Sequence, residues 1–200
     1  MSRFKSFAIA LVLGGSLAGC SIGSLLGGGG KGPAVLYTLT PEAPPAAPAR
    51  SAAAGETVTI RTPVVPKELR TVRVPVRLGP TQVQYVTDLQ WVDTPDALFQ
   101  SLVEETIRRT TNRVVLDPKQ SALNPGLVVT GQLDRFGYDA QARAVIVQYD
   151  ASLATQGGTH VETRRFEASV ASDGTAATVA PALNRAANQV ATQVAQWIGG

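Results

Sequence analysis

Three long runs of strand-forming residues in the C-terminal half constrain the fold more than any other feature of this chain. They cover residues 127–139, 143–155 and 161–171, and only short links separate them. Long runs rich in β-branched and aromatic residues, bounded by turns, are typical of strands. Because short links join antiparallel neighbours, we expect these three runs to form an antiparallel meander.

One amphipathic helix is predicted before this meander and another after it. The first begins at Thr94 as candidate N-cap, with Pro95 at the first helical position. The second covers residues 175–198, with Asp173 or Thr175 as its cap. Apolar residues recur at helical spacing in both segments: Phe99, Leu102, Val103 and Ile107 in the first, and Val179, Leu183, Val190, Val194 and Trp197 in the second. The predicted fold class is therefore α+β, a two-layer sandwich with a mainly antiparallel sheet and two helices packed on one face.

Shorter strands are predicted upstream, at 35–40, 57–61, 82–86 and 113–116. Residues 72–77 are predicted to form an edge strand, since Pro75 lacks a donor and is tolerated only at edges and bulges. The proline- and alanine-rich stretch 41–55 is predicted to be a mobile loop.

The N-terminal segment has the pattern of a secretory signal. Two basic residues precede the apolar run 7–13, which is too short to span a membrane and ends in small residues before Cys20, the chain's one cysteine. The four residues 17–20, Leu-Ala-Gly-Cys, resemble a bacterial lipobox, which implies cleavage before Cys20 and acylation of that residue. We therefore expect a signal peptide at 1–19, the lipidated Cys20 with a glycine-rich tether at 20–33, and one domain at 34–200.

Lipidation would make Cys20 a membrane anchor, since several acyl chains together hold a protein stably on a bilayer. The residue after it is Ser21. In Gram-negative lipoproteins an aspartate there signals inner-membrane retention, so we expect the periplasmic face of the outer membrane. The same modification consumes the only thiol, and the mature domain must fold without a disulfide.

Composition excludes an electrostatic nucleic-acid binder. The chain has 18 basic and 15 acidic residues, and two of the basic ones, Arg3 and Lys5, leave with the predicted signal peptide. The mature chain is then nearly neutral, whereas proteins that bind the phosphate backbone concentrate positive charge.

The sequence offers no convincing catalytic set. The single histidine, His160, is predicted to lie exposed in a turn, and no G-x-S-x-G motif accompanies it. With no second histidine and no free thiol, the usual nitrogen and sulfur metal sites are excluded. Asp93 and Asp96 flank a helix start, where carboxylates ordinarily cap. We therefore predict a protein that is not an enzyme and needs no cofactor or metal.

Function is expected to lie in a contact surface instead. Interface energy concentrates in aromatic and arginine anchors, so the candidates are the exposed members of a small set: Trp91, Tyr85, Phe136 and Tyr138, with Arg135 nearby. Each aromatic residue in this set is also a plausible core residue. Trp91 in particular has the position of a core aromatic beneath the first helix.

The order of these features resembles the ABC-type transport auxiliary lipoproteins, the PqiC-like family. The resemblance rests on the lipobox, Tyr37-Thr38-Leu39 in the first strand, the proline-rich strand and tryptophan within 64–107, and the alanine- and valine-rich C-terminal helix. The lead-in Val92-Asp93-Thr94-Pro95 differs from the Ala-Glu-Pro type expected there.

This resemblance implies a non-enzymatic accessory of an ABC/MCE-type system that moves lipid between membranes. Its partners would be an MCE-domain protein that spans the periplasm and an ABC permease/ATPase complex, and a homo-oligomer stays open. Two other classes remain: a structural cell-envelope lipoprotein unrelated to transport, and a lipoprotein hydrolase that uses His160.

Overall fold

The computed structural model describes residues 35–45, 56–117, 126–154 and 160–199. The predicted signal peptide, the tether and Cys20 lie outside these residues, as does most of the predicted loop at 41–55. Residues 35–200 group into one unit by their contacts.

Eight strands and two α-helices occur in the described part of the chain. Their bounds are β1 Leu36–Tyr37, β2 Thr57–Ile60, β3 Arg73–Gly79, β4 Gln82–Trp91, α1 Pro95–Thr110, β5 Val114–Leu116, β6 Leu127–Asp139, β7 Ala144–Ala154, β8 Val161–Ala171 and α2 Ala176–Gly199. A short 3-10 helix, Lys67–Leu69, precedes β3. The predicted α+β sandwich is confirmed, although the sheet is mixed, with short parallel pairings beside the long antiparallel ones.

Strand β6 organises the sheet. Along one edge it pairs with β7 over nearly its whole length, and β7 pairs with β8, which confirms the predicted antiparallel meander. Its other edge is shared: β2 pairs in parallel near Leu127, Val64 bridges to Gln132, and β3 pairs in parallel at Tyr138 and Asp139. The sheet therefore forks on this side into a β2–β5 branch and a β3–β4–β1 branch.

A strand forms near the predicted residues 72–77, but the prediction that it lies at an edge of the sheet is wrong. Strand β3 lies between β4 and β6 and is not an edge. The register with β4 shifts between Arg73 and Pro75. Strand β3 tolerates Pro75 because such an irregular site does not require every residue to donate a main-chain hydrogen bond, and proline has no N–H to donate. The pairing with β6 that makes β3 internal joins positions about 60 residues apart, which no local pattern reveals.

Both helices begin where the sequence predicts. Thr94 is the N-cap of α1, but its side chain makes no capping bond; instead the Asp93 carboxylate accepts from the Thr94 amide at 2.7 Å. At α2 the Asp173 carboxylate accepts from the Thr175 amide at 2.9 Å, and the Thr175 carbonyl accepts from Val179 at 2.8 Å. At both helix starts an aspartate thus accepts from the amide of the residue that precedes the helix.

The core lies between the helices and one face of the sheet. Its largest fully buried side chains include Trp91, Tyr149, Phe99, Phe136, Ile107, Leu133 and Leu183. The Phe99 ring of α1 meets the edge of Tyr149 of β7, with 5.2 Å between ring centroids. We call the opposite sheet face, which the helices do not cover, the outer face.

A segment that follows β1 is held to α2 by side chains. Residues 40–42, which we call the strap, run beside two asparagines one helical turn apart. Asn184 accepts from the Thr40 amide at 2.8 Å, and Asn188 accepts from the Glu42 amide at 2.8 Å. The strand predicted at 35–40 is therefore shorter than expected: β1 ends at Tyr37, and Thr40 bonds to a helix.

Candidate functional site

The structure divides the five predicted contact residues into two groups. Trp91 and Phe136 are each 1% exposed and Tyr138 is 9% exposed, so these three belong to the core. The Trp91 and Phe136 rings meet edge to face, with centroids 5.8 Å apart. Tyr85 and Arg135 remain partly exposed. They are the members of the set that can reach a partner, and both lie on the outer face.

Strand alternation explains why Tyr85 lies on the outer face. It pairs with Pro75 of β3, and residues directly opposite each other share a face. Val74, the neighbour of Pro75 in β3, is fully buried in the core, so Pro75 must point the other way.

The Tyr85 side chain is held from two sides. The guanidinium of Arg73 lies over its ring, 4.3 Å from the centroid, and the phenol hydroxyl donates to the main-chain oxygen of Glu68 at a long 3.4 Å. Glu68 also lies 3.9 Å from Arg77, a loose pair in which both side chains are partly exposed. Stacking of this kind orients an aromatic ring before any partner arrives.

Arg135 is oriented by a carboxylate on its own strand. Its guanidinium donates to Asp139 at 2.7 Å, and the two side chains are 27% and 16% exposed. The pKa of Asp139 lies below its usual range because the Ala142 amide donates to it and Arg135 adds a further hydrogen bond and positive charge. The Asp139 carboxyl therefore stays ionised at neutral pH.

The surface beside Arg135 and Pro75 has almost no concavity. It encloses a cavity of about 30 Å³, lined by Glu68, Leu69, Pro75, Arg77, Val83, Asp134, Arg135, Phe136, Gly137 and Tyr138. Such a volume has room for one or two water molecules, whereas sites for small ligands occupy hundreds of Å³. This geometry suits contact with a macromolecule.

A second polar cluster covers the outer face of β7 and β8. Arg165 forms a bidentate pair with Asp150, with distances of 2.7 and 2.6 Å, and Gln148 donates to Asp134 at 3.4 Å. The pKa of the Asp150 carboxyl is lowered, chiefly by its hydrogen bond to Arg165. Charged residues therefore continue along this face from the Tyr85 region to β8.

The structure also shows where the candidate catalytic and metal-binding side chains of the described residues lie. His160 is exposed, as expected. Within the described ranges no group of three or more histidine, cysteine, aspartate or glutamate residues is placed to hold a metal ion. In the same residues, neither helix combines the length and apolar character needed to span a membrane.

Sequence reasoning missed Asn184 and Asn188, which hold the strap. Their spacing of four residues in an otherwise alanine-rich helix was the available signal, since polar side chains at that spacing share one helix face. Asn188 is only 5% exposed, and a buried carboxamide needs partners.

Comparison with known proteins identifies the family. The model of the ABC-type transport auxiliary lipoprotein component matches residues 37–195, and the chain belongs to this family. The match spans both branches of the forked sheet and nearly all of α2. No curated protein is similar enough to count as a relative.

Two solved structures share the fold at low identity, and a third is a weaker match. Protein XCC0632 from Xanthomonas campestris, of family DUF330, superposes with a TM-score of 0.68 at 19% identity, covering 82% of this chain and 94% of that one. An uncharacterized protein gives 0.58 at 13% identity, covering 82% and 97%. The PelC dodecamer from Paraburkholderia phytofirmans gives 0.42 at 16%, covering 73% and 90%.

Proposed function

We propose that this chain is a non-enzymatic outer-membrane accessory of an ABC/MCE-type lipid transport system. In this role it docks or guides the MCE-domain protein that spans the periplasm, and through it the permease/ATPase complex. Family membership supports the link to an ABC transport system. The observation that carries the docking role is that Tyr85 and Arg135 share the outer face of the sheet, each held by a charged neighbour.

The energetic argument rests on preorganisation. Tyr85 is stacked under Arg73, and Arg135 is paired with Asp139, so little side-chain entropy remains to be lost on binding. Tyrosine and arginine are enriched among the residues that dominate interface energies. Phe136 and Tyr138 are packed in the core, which fixes the backbone of β6 that carries Arg135.

Paired measurements on alanine variants test the docking surface. We expect Tyr85→Ala and Arg135→Ala to weaken binding of the purified MCE-domain protein by about 2 kcal/mol or more, with the free energy of unfolding nearly unchanged. Trp91→Ala is the matched contrast, because loss of a buried tryptophan costs roughly 3–5 kcal/mol of stability. Wild-type affinity in both outer-face variants would reject this surface as the docking site.

A photo-crosslinking amino acid at position 85 identifies the partner directly. In cells that carry the transport system, we expect the adduct to contain the MCE-domain protein. The same amino acid at position 185, an exposed site on α2, is the control. Equal capture from both positions, or capture of unrelated envelope proteins at 85, would favour a structural lipoprotein over a transport accessory.

The membrane anchor is proposed at Cys20, which lies outside the described residues. The lipobox-like 17–20 and the family name support it. We expect density-gradient fractionation to place the protein with outer membranes, and Cys20→Ala to leave an uncleaved or mislocalised precursor. Recovery with inner membranes would contradict the localisation while leaving the anchor intact.

A further inference from the structure

Strand β8 forms the end of the sheet opposite to β1. Its 11 residues all pair with β7, and among the described residues no strand pairs with its other side. A strand edge of this length presents a row of main-chain donors and acceptors that can pair with another chain. Proteins commonly protect such edges with charged residues, and β8 carries four: Glu162, Arg164, Arg165 and Glu167.

The sequence of charge signs along β8 is more specific than is needed to keep the edge from pairing with other chains. If two copies of β8 pair antiparallel about a twofold axis at Phe166, Arg165 of each copy lies directly opposite Glu167 of the other. Both residues are exposed on the outer face, so two cross-strand ion pairs form side by side. We propose that β8 is a self-complementary edge through which two copies of this chain join their sheets in this register.

Neighbouring registers are disfavoured by the same residues. A pairing centred on Arg165 places the two Arg165 side chains directly opposite each other, and one centred on Glu167 does the same with the two glutamates. Registers centred on residues of β8 that lie further from Phe166 also shorten the overlap of the 11-residue strands. Like charges directly opposite are destabilising, and register in a sheet is set by such patterns.

The helix-covered side of the edge also fits a second copy. There the Phe166 ring lies 5.4 Å from Trp197, and the Arg164 guanidinium is 5.7 Å from the Phe166 centroid. Trp197 is only half-buried, and its indole nitrogen donates to Glu162 at 2.8 Å. A pairing centred on Phe166 brings the two phenylalanines together at the axis and extends this aromatic cluster across it.

An open cleft beneath the edge would be covered by the same contact. It has a volume of about 340 Å³ and is lined by Arg164, Arg165, Phe166, Gln193, Gln196 and Trp197. The main-chain oxygen of Glu167 accepts a long 3.5 Å bond from Gln193, a weak contact that an incoming strand can replace. Aromatic and arginine side chains around a cleft that becomes desolvated are the composition of interface centres.

Engineered cysteines test the register. Thr163 and Ser169 are exposed on the outer face and lie opposite each other across the proposed axis. Since opposite residues in an antiparallel pair lie about 5.5 Å apart, the full chain carrying Thr163→Cys and Ser169→Cys should form disulfide-linked dimers in its own membranes. Thr163→Cys alone should not, because the two copies of residue 163 would lie about 20 Å apart. No excess of dimer in the double variant over the single one would overturn the proposal.

A charge exchange tests the ion pairs. Glu167→Arg alone and Arg165→Glu alone each place like charges opposite at the axis, and we expect the dimer association constant to fall by about tenfold or more. A mixture of the two variants restores both opposite-charge pairs and should recover association. Arg185→Glu, on exposed α2 surface, is the matched control and should leave association unchanged.

Folding is monitored because Arg165→Glu also loses its bond to Asp150. If that variant unfolds, Glu167→Arg and the variant with both cysteines still test the proposed register. Folded variants whose association is insensitive to Glu167→Arg, or a mixture that fails to recover, would overturn the proposed register. None of these readouts depends on the transport partner or on Tyr85, so the docking proposal stands or falls separately.

Discussion

Asn188 of α2 donates from its side-chain nitrogen to the main-chain oxygen of Thr40, 2.9 Å away, and so ties the strap to the helix. The same side chain accepts from the Glu42 amide at 2.8 Å. The Asn188 carboxamide therefore makes the hydrogen bonds to the strap that a neighbouring strand would make in a sheet. The strap lies between β1 and the stretch that leads to β2, so this contact determines where the N-terminal part of the domain crosses α2.

Asn188→Ala is expected to loosen the strap at Glu42 and lower the free energy of unfolding by about 1–3 kcal/mol, since hydrogen bonds are lost at a buried site. Hydrogen exchange gives a sharper test. In this variant the Glu42 amide should exchange faster while the Thr40 amide stays protected, and Asn184→Ala should show the reverse. Equal exchange at both amides in both variants would show that the asparagines do not hold the strap.

Leu102→Ala is expected to cost roughly 2–5 kcal/mol of folding free energy, because Leu102 is 3% exposed and its loss leaves a cavity between α1 and the sheet. Ser101→Ala on the exposed side of the same helix turn is the control, and surface changes of this kind usually stay within about 0.5 kcal/mol. Urea denaturation measures both. A cost below about 0.5 kcal/mol for Leu102→Ala would contradict the packing of α1.

Asp173 makes the start of α2 sensitive to acid. Hydroxyl groups of Thr178 and Thr175 and the Thr175 amide donate to its carboxylate and lower its pKa from 3.8 to about 2. Because the folded-state pKa is depressed, its stabilising contribution is present above pH 3.8 and is lost as the pH falls through about 2.

Asp173→Ala should therefore be less stable than wild type at neutral pH, and the difference should shrink between pH 3.8 and 2. Urea midpoints of both proteins across this range measure it, and NMR titration of the carboxyl gives the pKa itself. A difference in stability that persists unchanged at pH 2 would show that the carboxylate is not the group responsible.

Gly137→Ala is expected to disturb the junction of β3 and β6. A Cβ atom at residue 137 would lie 2.4 Å from the main-chain oxygen of Pro75, so one strand must move. Overpacking of this kind typically costs about 1–3 kcal/mol. Gly79→Ala is the control, because its nearest contact would be the Gln82 side chain at 3.9 Å. Thermal melts of equal midpoint for both variants would mean that the two strands are not held this closely.

Local patterns in the sequence were sufficient for most of the elements. Thr94 and Pro95 mark the start of α1 because capping and the fixed φ of proline act within a few residues. The meander of β6, β7 and β8 followed from three strand-forming runs and the short links between them, and the paired strands agree closely with the predicted runs. These features depend on interactions between near neighbours, which a sequence displays directly.

The roles of individual aromatic residues could not be predicted in the same way. Trp91, Phe136, Tyr138 and Tyr85 are similar as candidates in the sequence, yet three are core residues and Tyr85 lies beneath Arg73 on the outer face. The period of two in a strand means that adjacent side chains point to opposite faces of the sheet. It does not tell which face the helices cover.

The sequence by itself determined the two helices and the meander, and it displays the N-terminal signal pattern with Cys20 as the only thiol. Tertiary structure decided that β3 is internal, that Asn188 holds the strap, and that β8 is left with an unpaired edge among the described residues. The physical reason is sequence distance. Capping, turn formation and periodicity are local, whereas strand order, register and burial depend on contacts between residues that are tens to more than a hundred positions apart.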